Sequence, residues 1–451
     1  MKLLHGFLSV TAAMLLPSLF SLRGASAYAQ DPSPSSEESL TTTSTVYYFP
    51  DIQRDSVRLS YVVSGNVRDA ESGEPLPYVT VSIPGSHFST VTNEDGDFTI
   101  KSGSAPQRIM FSLIGYKTLS QALNQTGESQ ISGLRVRMSL DPITLREAVI
   151  IADDPYEILQ KAIKLIEKNY PSVPELMDCF YRETVQKRTR YIYISEAVTK
   201  LYKTKYSDRN TFRDRTAISK SRVLLSPKTS DTLSVKVLGG PNQSISLDAV
   251  KNEDFILNEE ELSLYSIEMG RPVMIDGRAQ YAINIAPHAE TDYALQTGTF
   301  YVDRETMAFT RVELSLDMSD EEKATKAMLV RKPATLRFRP RELSLMVNYR
   351  TEDDITRISY VRCTMRFTCD WKKKLLRGTS FTAVNEMVVT NRHEGDIELI
   401  TRGESFRDNE ALFDKSGLYL DPEFWKDYNI IEPSESLEHA LGRLKRQSTR
   451  R

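Results

Sequence analysis

Cysteine is scarce in this chain: only Cys179, Cys363 and Cys369 occur in 451 residues. A disulfide-stapled domain needs more cysteines than that, so the fold must rest on a hydrophobic core. Cys363 and Cys369 fall in one predicted strand, about 20 Å apart at the usual strand rise, which is too far for a disulfide. Cys179 is left to pair with either one, and one thiol stays odd in any case. Three free, buried thiols are the default expectation.

Histidine is nearly as rare, and its spacing excludes the common zinc sites. The five histidines are His5, His87, His288, His393 and His439. None stands in an H-x-x-E or H-E-x-x-H spacing, which supplies a pair of metal ligands. The chain also lacks a G-x-S-x-G nucleophile motif, a phosphate loop and a G-x-G-x-x-G, and no histidine neighbours Cys179 in sequence. We therefore predict no catalytic, cofactor-binding or metal-binding residue.

Net charge and long apolar runs are lacking too. The formal charge is −3 and the charges are interspersed, so the surface gives no attraction to nucleic acid. After residue 22, no run reaches the roughly 18–20 apolar residues of a membrane-spanning helix. Before it, Lys2 precedes a mostly apolar stretch, and small residues over 25–29 offer cleavage sites. We predict a signal peptide over 1–29, with a retained anchor as the alternative.

An exported chain is expected to reside in the periplasm or at the outer membrane. No cysteine follows the predicted cleavage sites, which argues against lipid attachment. Residues 30–57 are rich in Ser, Thr, Glu and Pro, and such a composition predicts a flexible linker.

Residues 58–140 have the pattern of a small β-sandwich of the seven-stranded type. Short alternating runs are broken by Gly, Pro, Asn and Asp. Within one run Val79 and Val81 fall on one face, whereas Thr80 and Ser82 fall on the other. Turns are expected at Gly73 and at Gly96, after which Phe98 and Ile100 return to the inner face.

The order of these residues is more specific than their periodicity. The informative pieces are Ser64-Gly65-Asn66-Val67-Arg68-Asp69, Gly73-Glu74-Pro75-Leu76-Pro77, Thr92-Asn93-Glu94-Asp95-Gly96-Asp97-Phe98 and Phe111-Ser112-Leu113-Ile114-Gly115-Tyr116. This stretch resembles the carboxypeptidase-regulatory-like domain, a transthyretin-type β-sandwich common in envelope proteins of Bacteroidetes. Only the loop 85–89 departs from the family pattern. The resemblance implies an accessory module without an active site.

A connecting strand or linker is predicted over 141–152. It is similar to the segment that follows the same kind of domain in receptors of the TonB-dependent class. Here a helix over 154–169 follows instead, with Asp154 as its N-cap and Pro155 in its first turn. We place a domain boundary near residue 152.

In residues 153–432 apolar and polar residues mainly alternate with a period of two. This pattern predicts one large, curved antiparallel sheet with the 154–169 helix against its apolar face. A hairpin is expected over 300–314, turning at 303–306. The stretches 178–184 and 193–198 look like those that follow the sandwich in a group of Bacteroidetes envelope proteins, and the hairpin is similar to one in LolA-like sheets. Neither resemblance brings a catalytic residue. The pattern of residues 433–451 predicts an amphipathic helix that is capped by Ser434 and has an apolar stripe of Leu437, Ala440, Leu441 and Leu444.

Four residues are candidates for a functional polar cluster: Tyr181, Arg182, Glu183 and Glu196. In adjacent antiparallel strands Arg182 and Glu196 can pair across the sheet. The competing interpretation is a structural ion pair.

The sequence therefore favours a non-enzymatic, exported envelope protein. The sandwich would dock or position the β-rich domain, which would bind an apolar ligand such as lipid, or an envelope protein partner, with peripheral outer-membrane association. No cofactor is expected. One alternative is a component of a TonB-dependent uptake system, although about 300 residues after the boundary leave little room for its membrane part. The other is a hydrolase that uses carboxylates, for which no motif is present.

Overall fold

The structure is a computed structural model that describes most of the chain beyond residue 58. The described residues are 10–11, 59–123, 129–141, 154–226, 228, 236–237, 240–331, 336–371, 378–395, 397–412 and 425–449. The predicted signal peptide, linker and connecting segment lie almost entirely outside them. Val10–Thr11 forms a short strand, β1. No helix within the described ranges is both long and apolar enough to cross a bilayer.

Seven strands form the predicted sandwich. They are β2 (Tyr61–Asp69), β3 (Thr80–Ser82), β4 (Ser89–Val91), β5 (Asp97–Ser102), β6 (Arg108–Ser112), β7 (Leu119–Ala122) and β8 (Gln130–Met138). One layer has the order β5-β2-β8 and the other β4-β3-β6-β7. The two layers share one hydrophobic core, so this part of the fold class is confirmed.

The register of the sandwich follows the alternation in its sequence. Val79, Val81 and Phe98 are buried in the core, whereas Thr80 lies on the outer side of its strand. Gly96 has a φ of +79°, and a Cβ there would lie 2.4 Å from the carbonyl oxygen of Val67. The second turn therefore requires glycine.

The large sheet has 11 strands, and all of its neighbouring pairs are antiparallel. Its strands are β9 (Glu175–Lys187), β10 (Arg190–Lys203), β11 (Arg215–Leu225), β13 (Tyr265–Met269), β14 (Val273–Ile275), β15 (Arg278–Pro287), β16 (Gln296–Asp303), β17 (Phe309–Leu316), β19 (Leu336–Glu352), β20 (Ile355–Trp371) and β21 (Thr379–Arg392). Their order is β11-β10-β9-β21-β20-β19-β17-β16-β15-β13, with β14 beside β15. The predicted 300–314 hairpin is the β16–β17 pair. A small separate sheet places β1 between β12 (Lys236–Val237) and β18 (Leu329–Arg331).

Helices cover one face of this sheet, which we call the helix-side face. They are α1 (Pro155–Lys164), α2 (Ile166–Asn169), α3 (Gly240–Ser246), α4 (Glu259–Leu262) and α5 (Glu321–Met328). Asp154 caps α1 as predicted, because its carboxylate accepts from the backbone N–H of Tyr156 at 2.9 Å. The segment 240–262 also fills this face with buried side chains, including Val250 and Ile256. The predicted single helix is therefore one of several elements that cover the apolar face.

The opposite, sandwich-side face is not uniformly polar. Phe180, Val198 and Tyr360 of the sheet form a core with Val91 of the sandwich and Trp425 of the C-terminal segment. The hydroxyl of Ser89 donates to the carbonyl of Val389 at 2.8 Å, and the hydroxyl of Thr90 donates to that of Ile430 at 2.9 Å. These contacts fix the sandwich against the large sheet.

The C-terminal helix α6 (Glu435–Thr449) packs on the edge of the sheet formed by β10 and β11. Its predicted apolar stripe is buried; the four residues are Leu437, Ala440, Leu441 and Leu444. Their neighbours on the sheet include Tyr191, Ile194 and Leu224. The backbone N–H of Leu437 donates to the hydroxyl of Ser434 at 3.4 Å, where the sequence predicted a cap.

Candidate functional site

The structure divides the four predicted polar residues between the two faces of the sheet. Arg182 lies directly opposite Glu196 across the β9–β10 pair, as predicted, and both side chains lie on the sandwich-side face. Tyr181 and Glu183 are the odd-numbered neighbours of Arg182 in β9 and lie on the helix-side face. The four residues therefore form two separate clusters.

The sandwich-side cluster belongs to a row of alternating charges across five adjacent strands. Register pairs Arg222 with Glu196, Glu196 with Arg182, Arg182 with Glu386, and Glu386 with Arg362. We call these five residues the charge row. Neighbours on the row make ion pairs with N···O distances between 2.5 and 3.4 Å. Each charge except the outermost is flanked by opposite charges on both sides.

Glu196 is the most buried carboxylate of the charge row, at 0% exposure. It accepts from Arg182 Nε at 2.8 Å, Arg222 Nε at 2.6 Å and Trp425 Nε1 at 3.3 Å. Burial acts to raise its pKa, but the two guanidinium groups prevail and hold the pKa of Glu196 below its usual range. Glu196 is therefore ionised, with its oxygens occupied by protein donors.

The charge row also connects the sheet to the sandwich and to the C-terminal segment. Arg182 Nη2 donates to the carbonyl of Ile431 at 2.6 Å. At the other end, Arg362 Nη2 lies 3.3 Å from Glu94 of the sandwich, and its guanidinium lies 4.7 Å from the ring centroid of Tyr78. This arrangement supports the structural interpretation of the Arg182–Glu196 pair: it holds three parts of the chain together.

The helix-side cluster is centred on Glu183, which is 1% exposed. The hydroxyl of Tyr181 donates to Glu183 Oε2 at 2.8 Å, and the hydroxyl of Tyr193 donates to Oε1. Burial raises the pKa of Glu183 to about 7, although the two tyrosine hydrogen bonds act to lower it. A carboxyl group that changes charge near neutral pH is therefore enclosed within the core.

Glu183 makes the stability of the protein fall as pH rises. Its ordinary value is 4.5, so between about pH 4.5 and pH 7 the folded state holds a proton that the unfolded chain has lost. From pH 5 to pH 8 the wild type should lose about 3 kcal/mol more of its free energy of unfolding than Glu183→Gln, which cannot ionise. Urea unfolding at both pH values measures the difference. Equal losses in the two proteins would show that Glu183 does not titrate in this range.

A second ionic cluster lies on the helix-side face and consists of Lys203, Asp214, Asp248 and Lys251. The sequence does not predict it, because its members are spread over 203–251. Lys203 Nζ lies 2.7 Å from Asp248, and Lys251 Nζ lies 2.6 Å from Asp214. Burial, together with the nearby Lys203, lowers the pKa of Lys251 to about 8. Lys251 Nζ also donates to the carbonyl and hydroxyl oxygens of Thr204, each at 2.7 Å, so all its donors are used. Such an amine is positioned for structure and not for attack on a substrate.

The cysteines are buried and free, and burial raises the pKa of each thiol, to about 12 for Cys363. Within the described part of the chain, no group of three or more His, Cys, Asp or Glu side chains is placed to hold a metal ion.

Three aromatic rings form a row on the helix-side face, near the first residues of β19 and β21 and the last residues of β20. The centroids of Phe338 and Phe367 are 5.0 Å apart, and those of Phe367 and Phe381 are 5.5 Å apart, with near-parallel ring planes in both pairs. Phe338 and Phe367 are buried, whereas Phe381 is only partly buried. We call these three residues the aromatic row. It leads from the core toward the surface.

The aromatic row begins on β19, the strand that follows β18 in the chain, and β18 pairs with β1. Strand β18 follows directly after α5. Four residues, 332–335, separate it from Leu336, where β19 begins, and these four lie outside the described residues. Met328 and Leu336, on either side of β18, are fully buried in the same core as the aromatic row. In register, Val10 lies opposite Val237 of β12 and Leu329 of β18.

His87, considered in the sequence only as a metal ligand, instead connects the sandwich to the sheet. It lies in the loop that departs from the family pattern. Its Nε2 is 2.8 Å from Glu394 Oε1 and 2.9 Å from Arg392 Nη2. The hydrogen bond and charge of His87 hold the pKa of Glu394 below its usual range. A single histidine in a loop gives no sequence signal for such a contact.

A polar cleft lies next to this contact, between the sandwich and the sandwich-side face. Its volume is about 480 Å³, the sandwich lines it with hydroxyl groups and His87, and the large-sheet domain lines it with arginines and carboxylates. A second groove, of about 330 Å³, lies along the charge row and is lined by Arg182, Arg362 and Glu386. Tyr78, stacked on Tyr360 at 6.1 Å, lies between the two.

Several solved structures resemble this chain at low sequence identity and low TM-score. A DUF1329 family protein from Desulfovibrio piger is 12% identical, covers 52% of this chain and 94% of its own, and has a TM-score of 0.21. A LolA superfamily protein from Nitrosomonas europaea is 13% identical, covers 55% and 96%, and has a TM-score of 0.18. Lipovitellin is 9% identical, covers 57% and 28%, and has a TM-score of 0.24. Scores this low carry no argument about function.

No curated protein matches the chain. A family match is found for the sandwich, in agreement with the resemblance in its sequence: residues 63–150 match the CarboxypepD_reg-like domain, and a β-rich domain follows it.

Proposed function

We propose that this is a non-enzymatic, exported envelope protein whose large-sheet domain binds an apolar ligand at the aromatic row, with the sandwich as an accessory domain. The observation that carries the proposal is the row itself. Phe338, Phe367 and Phe381 present stacked apolar surface from the core to a partly exposed ring. An acyl chain gains most from such a continuous apolar track, because its binding energy grows with the apolar area it buries.

The short strand β1 supports this placement. Val10–Thr11 belongs to the apolar stretch of the predicted signal peptide, and it pairs with β12 and β18. Since β18 directly precedes the strand that carries Phe338, we infer that this segment lies close to the aromatic row in the full-length chain. Removal of the signal peptide would free the same place for an apolar ligand.

The accessory role of the sandwich follows from its contacts. Lys101 Nζ donates to the carbonyls of Trp425 and Tyr428 at 2.7 and 2.8 Å, and the charge row ends on Glu94. The sandwich is therefore fixed to the large sheet on the side opposite the aromatic row. From there it can dock to an envelope partner without covering the apolar site.

A non-enzymatic role is supported by the state of the ionisable groups. Glu196, Lys251 and Asp214 are buried and engaged with protein partners. The pKa of Glu394 in the 480 Å³ cleft is lowered, opposite to the shift that makes a carboxyl a general acid. These features oppose the hydrolase alternative.

A fluorescent fatty acid titrated into the protein tests the apolar site. The form that starts near residue 30 should bind the probe. The full-length chain should bind it less well if the inferred position of residues 10–11 beside the site is right. Phe381→Ala should weaken binding about tenfold, which corresponds to about 1.4 kcal/mol of lost apolar contact.

Phe212→Ala is the matched control, because Phe212 is 81% exposed. It lies between a short 3₁₀ helix, Tyr206–Asp208, and β11. It should leave the affinity unchanged within about twofold. No binding by the shortened form, or equal affinities for the Phe381 and Phe212 variants, would argue against the aromatic row as the site.

An extended polypeptide is the second candidate ligand, favoured by the pairing of β1. Strand edges of β12 and β18 freed by signal-peptide removal can pair with a strand of another chain. A peptide with the sequence of residues 3–22 should then compete with the fatty acid probe. Displacement by the peptide together with absence of lipid from the purified protein would favour a protein partner.

A further inference from the structure

The 480 Å³ cleft lies between the two domains, on the side of the large sheet opposite the aromatic row. At one end, the backbone N–H of Gly115 donates to the carbonyl of Met274 at 2.9 Å. At the other end, His87 contacts Glu394. The outer side of the sandwich forms the roof, with Thr80 and Ser82. Its volume lies within the range of small-molecule sites, roughly 300–1,000 Å³.

Two buried polar atoms of the floor have no hydrogen-bond partner among the described residues: Asn348 Oδ1, an acceptor, and Arg350 Nη1, a donor. Both residues belong to β19 and project from the same face, about 7 Å apart along the strand. Arg350 is held in place by its other nitrogen, Nη2, which pairs with Glu352. Buried polar atoms are nearly always paired in folded proteins, so this fixed acceptor and donor indicate an occupant of the cleft.

The charges around these atoms favour a neutral occupant. Three arginines, Arg278, Arg311 and Arg350, line the cleft together with five carboxylates, those of Asp276, Asp303, Glu352, Asp353 and Glu394. Arg278 already pairs with Asp303 at 3.5 Å. A ligand anion would meet the five carboxylates and a ligand cation would meet the three arginines, so an ionic ligand of either sign encounters like charges.

We propose that this cleft binds a neutral saccharide or a closely related polyol. A hydroxyl group both donates and accepts hydrogen bonds, so adjacent hydroxyls of one sugar ring can satisfy Asn348 Oδ1 and Arg350 Nη1 together. Arg311 lies directly opposite Asn348 in the neighbouring strand and extends this polar floor. The hydroxyls of Thr80 and Ser82 on the roof offer further partners. This site is separate from the apolar site and does not depend on it.

The test uses the complete protein without its signal peptide on a glycan array, followed by calorimetric titration with the best neutral disaccharide. Inorganic phosphate and acetate serve as anionic probes. We expect binding of a neutral glycan with a dissociation constant of about 1 mM or lower. Asn348→Ala and Arg350→Lys should each weaken it about tenfold.

Arg366→Lys is the matched control, because Arg366 is 59% exposed and pairs with Glu342 in the other groove. It should bind as the wild type does. Unchanged thermal midpoints would show that the Asn348 and Arg350 variants remain folded. Phe381→Ala should leave glycan binding intact, and Asn348→Ala should leave fatty-acid binding intact, so the two sites succeed or fail separately.

Three results would overturn the saccharide site. One is the absence of any neutral glycan binding up to about 10 mM, a concentration that reveals even weak recognition. Another is preferential binding of phosphate, acetate or acidic glycans. The third is equal affinity of the wild type and the Asn348→Ala variant.

Discussion

Phe98→Ala lowers the free energy of unfolding by about 3–5 kcal/mol, since it removes a large side chain from the centre of a packed core. Phe98 is 1% exposed, and its ring meets that of Phe111 edge to face at a centroid distance of 5.3 Å. The cavity that forms cannot collapse easily between two sheets. Urea unfolding, followed with a probe in the sandwich, measures the change in the free energy of unfolding.

The control for this variant is Phe212→Ala, which removes the same side chain from an exposed position. Its effect should stay within about 0.5 kcal/mol. A loss under about 1 kcal/mol for Phe98→Ala would mean that the strand register places another residue in the core.

Glu196→Gln should destabilise the protein by about 3–5 kcal/mol, since it leaves Arg182 and Arg222 buried without their shared counter-charge. Glutamine keeps the shape of the side chain, so the loss reports the charge. Thermal or urea unfolding gives the value. In addition, the sandwich and the C-terminal segment should become more accessible to protease, because the charge row holds both.

Glu322→Gln is the matched control, as it breaks the exposed Glu322–Lys326 pair of α5 by the same substitution. Exposed pairs of this kind contribute about 0.5 kcal/mol or less. If Glu196→Gln were no more destabilising than Glu322→Gln, the charge row would not be what joins the domains.

Local pattern and short-range pairing account for what the sequence predicted well. The sandwich follows from strict alternation, as in Val79 to Ile83, together with glycine turns. The Arg182–Glu196 pair follows because β9 and β10 form a hairpin, whose register is set within a few residues of its turn. The hairpin of β16 and β17 was predictable for the same reason.

The division of the polar cluster could also have been deduced from the sequence. Adjacent residues of a strand point to opposite faces, so Tyr181 and Glu183 cannot share a face with Arg182. The charge row as a whole could not be deduced from the sequence, because Arg182 and Glu386 are 204 residues apart. Pairing over such distances depends on the whole topology and leaves no local signal.

The hydrophobic periodicity also did not predict which elements cover each face of the large sheet. The 240–262 segment fills the helix-side face with short runs, such as Val250 and Ile256, that have neither helix nor strand period. On the sandwich-side face, Phe180 and Tyr360 alternate with charged neighbours and pack against the sandwich. A period-two pattern does not show which partner will cover each face.

Native mass spectrometry of the protein purified from its own envelope, combined with lipid extraction, tests the central claim most directly. The account predicts a polypeptide that begins near residue 30 and carries an apolar ligand at close to one molecule per chain, lost in Phe381→Ala. A cytosolic protein with Met1 intact would contradict it. So would a wild-type protein whose native mass equals that of the polypeptide alone, as in the variant.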